Sequence, residues 1–108
     1  MSSSNFLTLF DGQGANGTSD SVLYKGRSQT CLLYIEGDIG GGTLDIEIKP
    51  EVSKSVVGEP TLAFVDIAGG KGLTDVECKT LFLPAFTHVR AELSGSTSPD
   101  LTVGIFYQ

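Results

Sequence analysis

Leu44-Asp45-Ile46-Glu47-Ile48-Lys49 decides the fold. Its aliphatic side chains alternate with charged ones, a period of two that places Leu44, Ile46 and Ile48 on one face of an extended strand and Asp45, Glu47 and Lys49 on the other. Such a strand is half buried. His88-Val89-Arg90-Ala91-Glu92-Leu93 repeats the pattern, with Val89, Ala91 and Leu93 inward. Leu101 to Tyr107 alternates as well, and the stretch from Ser94 to Asp100, which carries Gly95 and Pro99, predicts a hairpin back from the preceding strand. Val76-Glu77-Cys78-Lys79-Thr80 alternates before the apolar Leu81-Phe82-Leu83 and a stop at Pro84. Further strands are predicted at Phe6 to Phe10, Ser21 to Tyr24, Thr30 to Glu36 and Thr61 to Ile67, about eight in all.

Apolar residues nowhere recur at helical spacing, and Gly or Pro interrupts nearly every stretch in which a helix would propagate. Helix content is expected to be minimal. Asp11 to Gly17, Gly37 to Gly42 and Ala68 to Gly72 read as loops between antiparallel strands, because glycine adopts positive φ at little steric cost. Short strands with turn signals every roughly 8 to 12 residues predict an all-β, antiparallel β-sandwich of jelly-roll type, ahead of a closed barrel.

The 108 residues suit one hydrophobic core, so residues 1–108 are read as a single domain with 1–5 as a candidate flexible arm. Apolar residues make up 40% and charged residues 19% of the chain, a globular balance. A net charge of -6 with scattered Lys and Arg argues against a nucleic-acid partner, since phosphates are neutralised by clustered basic side chains. Phe6 to Phe10 is too short for the apolar region of a signal peptide, and no apolar run reaches the roughly 18 residues of a membrane helix. Synthesis in the cytoplasm and no membrane partner are the expectations.

His88 is the only histidine, so any imidazole acid or base has to be this residue. It reads instead as a surface histidine on the wet side of a strand, and no Ser stands at a Gly-x-Ser-x-Gly elbow. Cys31 and Cys78 lack the close spacing of a metal site. Cys31 shares a face with Leu33 and Ile35, and Cys78 with Val76, so both are expected to be small buried hydrophobes and free thiols. Gly40-Gly41-Gly42-Thr43 and Gly69-Gly70-Lys71-Gly72 lack the following helix of a phosphate-binding loop and read as turns. Asp45 with Glu47, and Asp75 with Glu77, lie about 7 Å apart along a strand, a separation open to glycoside hydrolysis, but the chain has no Trp to form a sugar platform beside them. Asp11, Asp20 and Asp38 fall in or beside loops without the spacing of a calcium loop, and Asn16-Gly17-Thr18 matches a glycosylation acceptor too short to be specific. No catalytic, cofactor-binding or metal-binding residue is assigned, and an enzyme ranks below a binding or structural protein.

Three longer motifs carry a resemblance. Phe10-Asp11-Gly12-Gln13-Gly14-Ala15-Asn16-Gly17-Thr18-Ser19 leads into a strand, Ile35-Glu36-Gly37-Asp38-Ile39-Gly40-Gly41-Gly42-Thr43-Leu44 forms strand, glycine turn and strand, and Val89-Arg90-Ala91-Glu92-Leu93-Ser94-Gly95 comes near the end. Together they resemble short virion proteins of tailed bacteriophages, small β-sandwiches attached to the outside of the particle, over the span from Phe10 to Tyr107. The pattern departs at Lys49-Pro50-Glu51-Val52-Ser53-Lys54, which stands where such proteins often carry Ser-Pro-Asp-Gly and then Thr-Trp. The resemblance implies a capsid decoration (cement) protein on the head surface, a homotrimer whose partner is the major capsid protein or another virion protein. It implies no cofactor.

Aromatic residues anchor interfaces. Phe6, Phe10, Phe82, Pro84, Phe86, Phe106 and Tyr107 are therefore the candidate interface, with core packing as the alternative for each. The segment through Phe10 is either the first strand of its own sheet or an arm that adds to another subunit. A tail, baseplate or head-fibre domain fits the same architecture. So does a carbohydrate-binding module with Tyr24 and Tyr34 as sugar contacts, although the lack of Trp counts against it.

Overall fold

A computed structural model describes residues 5–51 and 62–108. Alternation of apolar and polar side chains is realised in β1 (Asn5–Gln13), β2 (Gly17–Thr18), β3 (Val22–Tyr24), β4 (Gln29–Asp38), β5 (Thr43–Pro50), β6 (Val65–Asp66), β7 (Cys78–Leu83), β8 (Thr87–Ser94) and β9 (Asp100–Tyr107). There is no helix among the described residues. One sheet runs β1-β9-β4-β7, and in the other β2 and β3 lie along one side of β8, followed by β5 and β6. Every pairing is antiparallel. With β2 and β3 counted as one interrupted strand, the sheets contain strands one, eight, three and six, and two, seven, four and five, which is the jelly-roll order.

The two sheets close on a shared core. Cys31, Leu33 and Ile35 of β4, with Leu101, Val103 and Ile105 of β9, are buried from one side. Leu44 and Ile46 of β5, with Val89, Ala91 and Leu93 of β8, meet them from the other. Each of these large aliphatic side chains contributes about 1.5–3 kcal/mol on burial. The register Leu44↔Leu93, Ile46↔Ala91 and Ile48↔Val89 confirms the parity expected of both strands.

The connections differ from expectation. β8 and β9 belong to different sheets, so Ser94 to Asp100 is an arch between layers and not a hairpin. The chain also changes sheet after β1, β3, β4, β6 and β7, and the glycine stretches serve these crossings. Turn residues meet the needs of hairpins and arches alike, because both reverse the chain and both use positive φ. The expected loop at Asp11 to Gly17 is partly strand, since β1 continues to Gln13 and Gly17 opens β2. Strand β7 starts at Cys78, not Val76, and of the strand predicted from Thr61 to Ile67 only Val65–Asp66 is paired, with Thr61 outside the described residues.

Three arches are tied together at one end of the sandwich. The Asn16 amide brackets Ser96, donating from Nδ2 to its carbonyl at 3.0 Å and accepting its N–H at 2.8 Å. Thr97 N–H donates to the Gly40 carbonyl at 2.9 Å. The glycosylation-like triplet is thus a structural clamp. Nearby, Gly37 has φ 98° and faces the Asp100 carbonyl so closely that a Cβ would collide with it. Gly41 has φ 78° but open space around it.

These two glycines separate strain from collision. Gly37→Ala is expected to destabilise the chain by at least about 2 kcal/mol, and Gly41→Ala by about 1 kcal/mol, in urea unfolding. Equal losses would show that Asp100 does not press on Gly37.

Candidate docking face

The outer faces of the two sheets are chemically opposite. On the five-stranded sheet, β5 presents Asp45, Glu47 and Lys49 and β8 presents His88, Arg90 and Glu92. These groups find partners within the chain. Arg90 donates to Glu47 at 2.7 Å while its guanidinium lies 3.9 Å from the Phe64 ring centre, and Lys49 approaches the same ring at 5.0 Å. His88 Nε2 lies 2.6 Å from the Glu51 carboxylate, and Asp45 accepts the Gly72 N–H at 2.7 Å. The Asp45 and Glu47 carboxylates are therefore each engaged by other groups. Among the described residues no three His, Cys, Asp or Glu side chains are grouped to hold a metal ion.

On the four-stranded sheet the inward parity of Cys31, Leu33 and Ile35 sends Thr30, Leu32, Tyr34 and Glu36 outward. The register then lines Phe6, Phe106, Leu32 and Thr80 up as one row across all four strands. Thr8, Gly104, Tyr34 and Cys78 form the next row, and Phe82 faces Thr30 on the other side. The Phe6 ring lies over Gly104, where any Cβ would strike it, and meets Phe106 at 4.4 Å between centres. Tyr34 adds an edge contact to Phe106 at 6.2 Å. Phe6, Leu32 and Phe82 remain 44%, 39% and 57% exposed. The acidic side chains sit toward the far end, where Glu36 faces Thr102 and Asp38 faces Asp100. A groove of about 400 Å³ runs beside the aromatic row, lined by residues including Arg27, Thr30, Leu32, Thr80, Phe106 and Gln108.

Of the candidate interface residues, Phe6, Phe82 and Phe106 come together on this face. Phe10 does not, because a register shift between Thr8 and Phe10 turns both Leu9 and Phe10 into the core. Tyr107 packs edge-on against Tyr24 at 4.8 Å and flanks the core. Pro84 is half-buried in the arch after β7, and Phe86 beyond it is 62% exposed with φ 52°. Leu32 and Tyr34 are the residues that sequence reasoning missed for this face; the inward parity of Cys31, Leu33 and Ile35 carried the signal. The segment through Phe10 is a strand of its own sheet from Asn5 onward, paired with β9, and residues 1–4 lie outside the described residues.

Cys78 corrects an expectation. It is exposed, because Leu81 and Leu83 fix the inward parity of β7 and Cys78 falls on the other side with Thr80 and Phe82. Cys31 is buried as expected. Burial pushes the Cys31 thiol up from its ordinary value and, more than any other cause, the Tyr24 phenol as well. Tyr24 is fully buried and hydrogen-bonded to Gln29 and the Arg27 carbonyl, so of the two candidate sugar-contacting tyrosines only Tyr34 reaches the surface. Tyr34 donates to Glu36 at 2.8 Å, and that carboxylate raises the Tyr34 pKa.

No protein-family model, curated protein or solved structure matches this chain. No helix among the described residues is long and apolar enough to cross a membrane.

Two predictions follow from the thiols and phenols. In the folded protein Ellman's reagent should modify Cys78 rapidly and Cys31 only after unfolding; equal rates would contradict the inward parity of β4. Raised folded values mean that the protonated forms of Cys31 and Tyr24 favour folding. Their contribution is complete below the unfolded thiol value, about 8.5, and is lost as pH rises through the folded values. Urea midpoints should fall above about pH 9, and fall less steeply in Cys31→Ala; a flat profile would contradict burial of these groups.

Proposed function

We propose that this chain is a non-enzymatic virion structural domain of a tailed bacteriophage, a capsid decoration protein that docks the aromatic face of its four-stranded sheet on the head. The observation that carries the reading is the contrast between the two outer faces. One spends its charges on internal ion pairs and a cation–aromatic stack, whereas the other holds Phe6, Leu32, Phe82 and Phe106 in partial exposure. Aromatic residues on a rigid sheet are the usual anchors of an interface. The resemblance of the three motifs to phage virion proteins supports a capsid as that surface.

Docking of this kind works by covering apolar area, not by chemistry. A sandwich offers its face with backbone already fixed, so little ordering entropy opposes contact with a repeating lattice. Repeated attachment across neighbouring capsid subunits would then hold them together.

Co-sedimentation with purified capsid shells tests the reading. The chain should bind, Leu32→Lys and Phe6→Ser should each weaken binding at least about tenfold, or about 1.4 kcal/mol, and His88→Ala on the opposite face should leave it unchanged. Failure to bind, or binding lost in His88→Ala alone, contradicts the proposal. Attachment to purified tails instead of shells would select the tail, baseplate or fibre alternative. The groove with Arg27, Thr30 and Thr80 beside Phe106 favours a second reading, a carbohydrate site, which glycan binding weakened by Arg27→Ala would support.

A further inference from the structure

An open sheet leaves edges whose backbone groups are unpaired, and proteins ordinarily guard them with short strands, bulges, charges or proline. Among the described residues, β1 carries two register shifts, and β2, β3 and β6 are two or three residues long. Strand β7 is different. Its six residues pair with β4 in unbroken register from Gln29↔Leu83 to Tyr34↔Cys78, and no described strand pairs with its outer side.

The direction of its free groups follows from one hydrogen bond. Ile35 N–H donates to the Glu77 carbonyl at 2.9 Å, so the odd-numbered residues of β7 exchange bonds with β4. By the antiparallel alternation, the N–H and C=O groups of Cys78, Thr80 and Phe82 point away from the sheet. None of the three is charged or proline. The flanking charges cancel locally, with Lys79 and Glu77 3.8 Å apart. On a chain of net charge -6, a neutral edge is where two copies approach with least repulsion.

We propose that β7 is a self-pairing edge, and that two copies of this chain join through it antiparallel about a two-fold axis at Thr80. Parity sets the register. Full overlap would place Cys78 opposite Leu83, an outward-bonding residue against one already bonded to β4. Centring on Thr80 sets Thr80 against its own counterpart and Cys78 against Phe82 of the second copy, a thiol beside an aromatic ring. About six new backbone hydrogen bonds form. The two four-stranded sheets become one, and their aromatic faces become continuous. This pairing is independent of what the face docks on.

The test is the mass of the full chain in solution over a concentration series, with two variants. The wild type should reach a two-chain mass. Thr80→Lys places like charges directly opposite each other on an exposed position, and should raise the dissociation constant at least tenfold with an unchanged circular dichroism spectrum. In a Cys78→Ser background, Thr80→Cys should form a two-chain disulfide under a mild oxidant, because hydrogen-bonded partners stand about 5.5 Å apart at Cα. Native Cys78 should not cross-link, since its counterpart lies four residues along the edge, about 13 Å away. A one-chain mass at every concentration, a three-chain mass insensitive to Thr80→Lys, or cross-linking through Cys78 in place of the Thr80→Cys variant overturns the proposal.

Discussion

Everything in this molecule depends on which way alternate side chains point. Leu33, Ile35, Val103 and Ile105 turn inward from one sheet, and Leu44, Ile46, Val89 and Leu93 turn inward from the other, to form one core. A slip of one residue in β4 would expose Cys31, Leu33 and Ile35 and bury Leu32, Tyr34 and Glu36 beside them. The same parity that builds the core therefore writes the outer faces. Leu32 and Phe106 lie together on the surface because Leu33 and Ile105 lie together beneath it.

The arches hold this parity in place. Since successive strands mostly belong to different sheets, contacts join residues far apart in sequence, and the ends are tied by short polar links such as Asn16 to Ser96 and Thr97 to Gly40. Gly37 and Gly104 mark where backbone or ring comes too close for any side chain. Folding of such a topology waits on distant pairings, which places it among the slower β proteins.

Much of the fold was legible in the sequence. Leu44 to Lys49 and His88 to Leu93 declared their buried faces outright, and an antiparallel jelly-roll sandwich followed from strand number and spacing. The connectivity was not legible, because Gly95 and Pro99 would suit a hairpin as well as the arch they form. Cys78 is exposed although Val76 two positions before it suggests a buried face, because Leu81 and Leu83 bury the opposite one. Phe10 stands open between interface and core in the sequence, and the bulge that turns it inward is announced by nothing in Phe6 to Phe10. The candidate docking face was half visible: Phe6, Phe82 and Phe106 stand out as aromatics, whereas their meeting with Leu32 and Tyr34 depends on pairings among four strands far apart in the chain.

The functional reading rests on this division into a charged, self-satisfied face and an aromatic one. Electron cryomicroscopy of phage particles carrying the chain, at a resolution that orients the sandwich, tests it most directly. The account predicts density on the outside of the head with the face of the four-stranded sheet that bears Leu32 and Phe106 against the shell. A sandwich seated instead on its β5 and β8 face, with the aromatic row open to solvent, would contradict it.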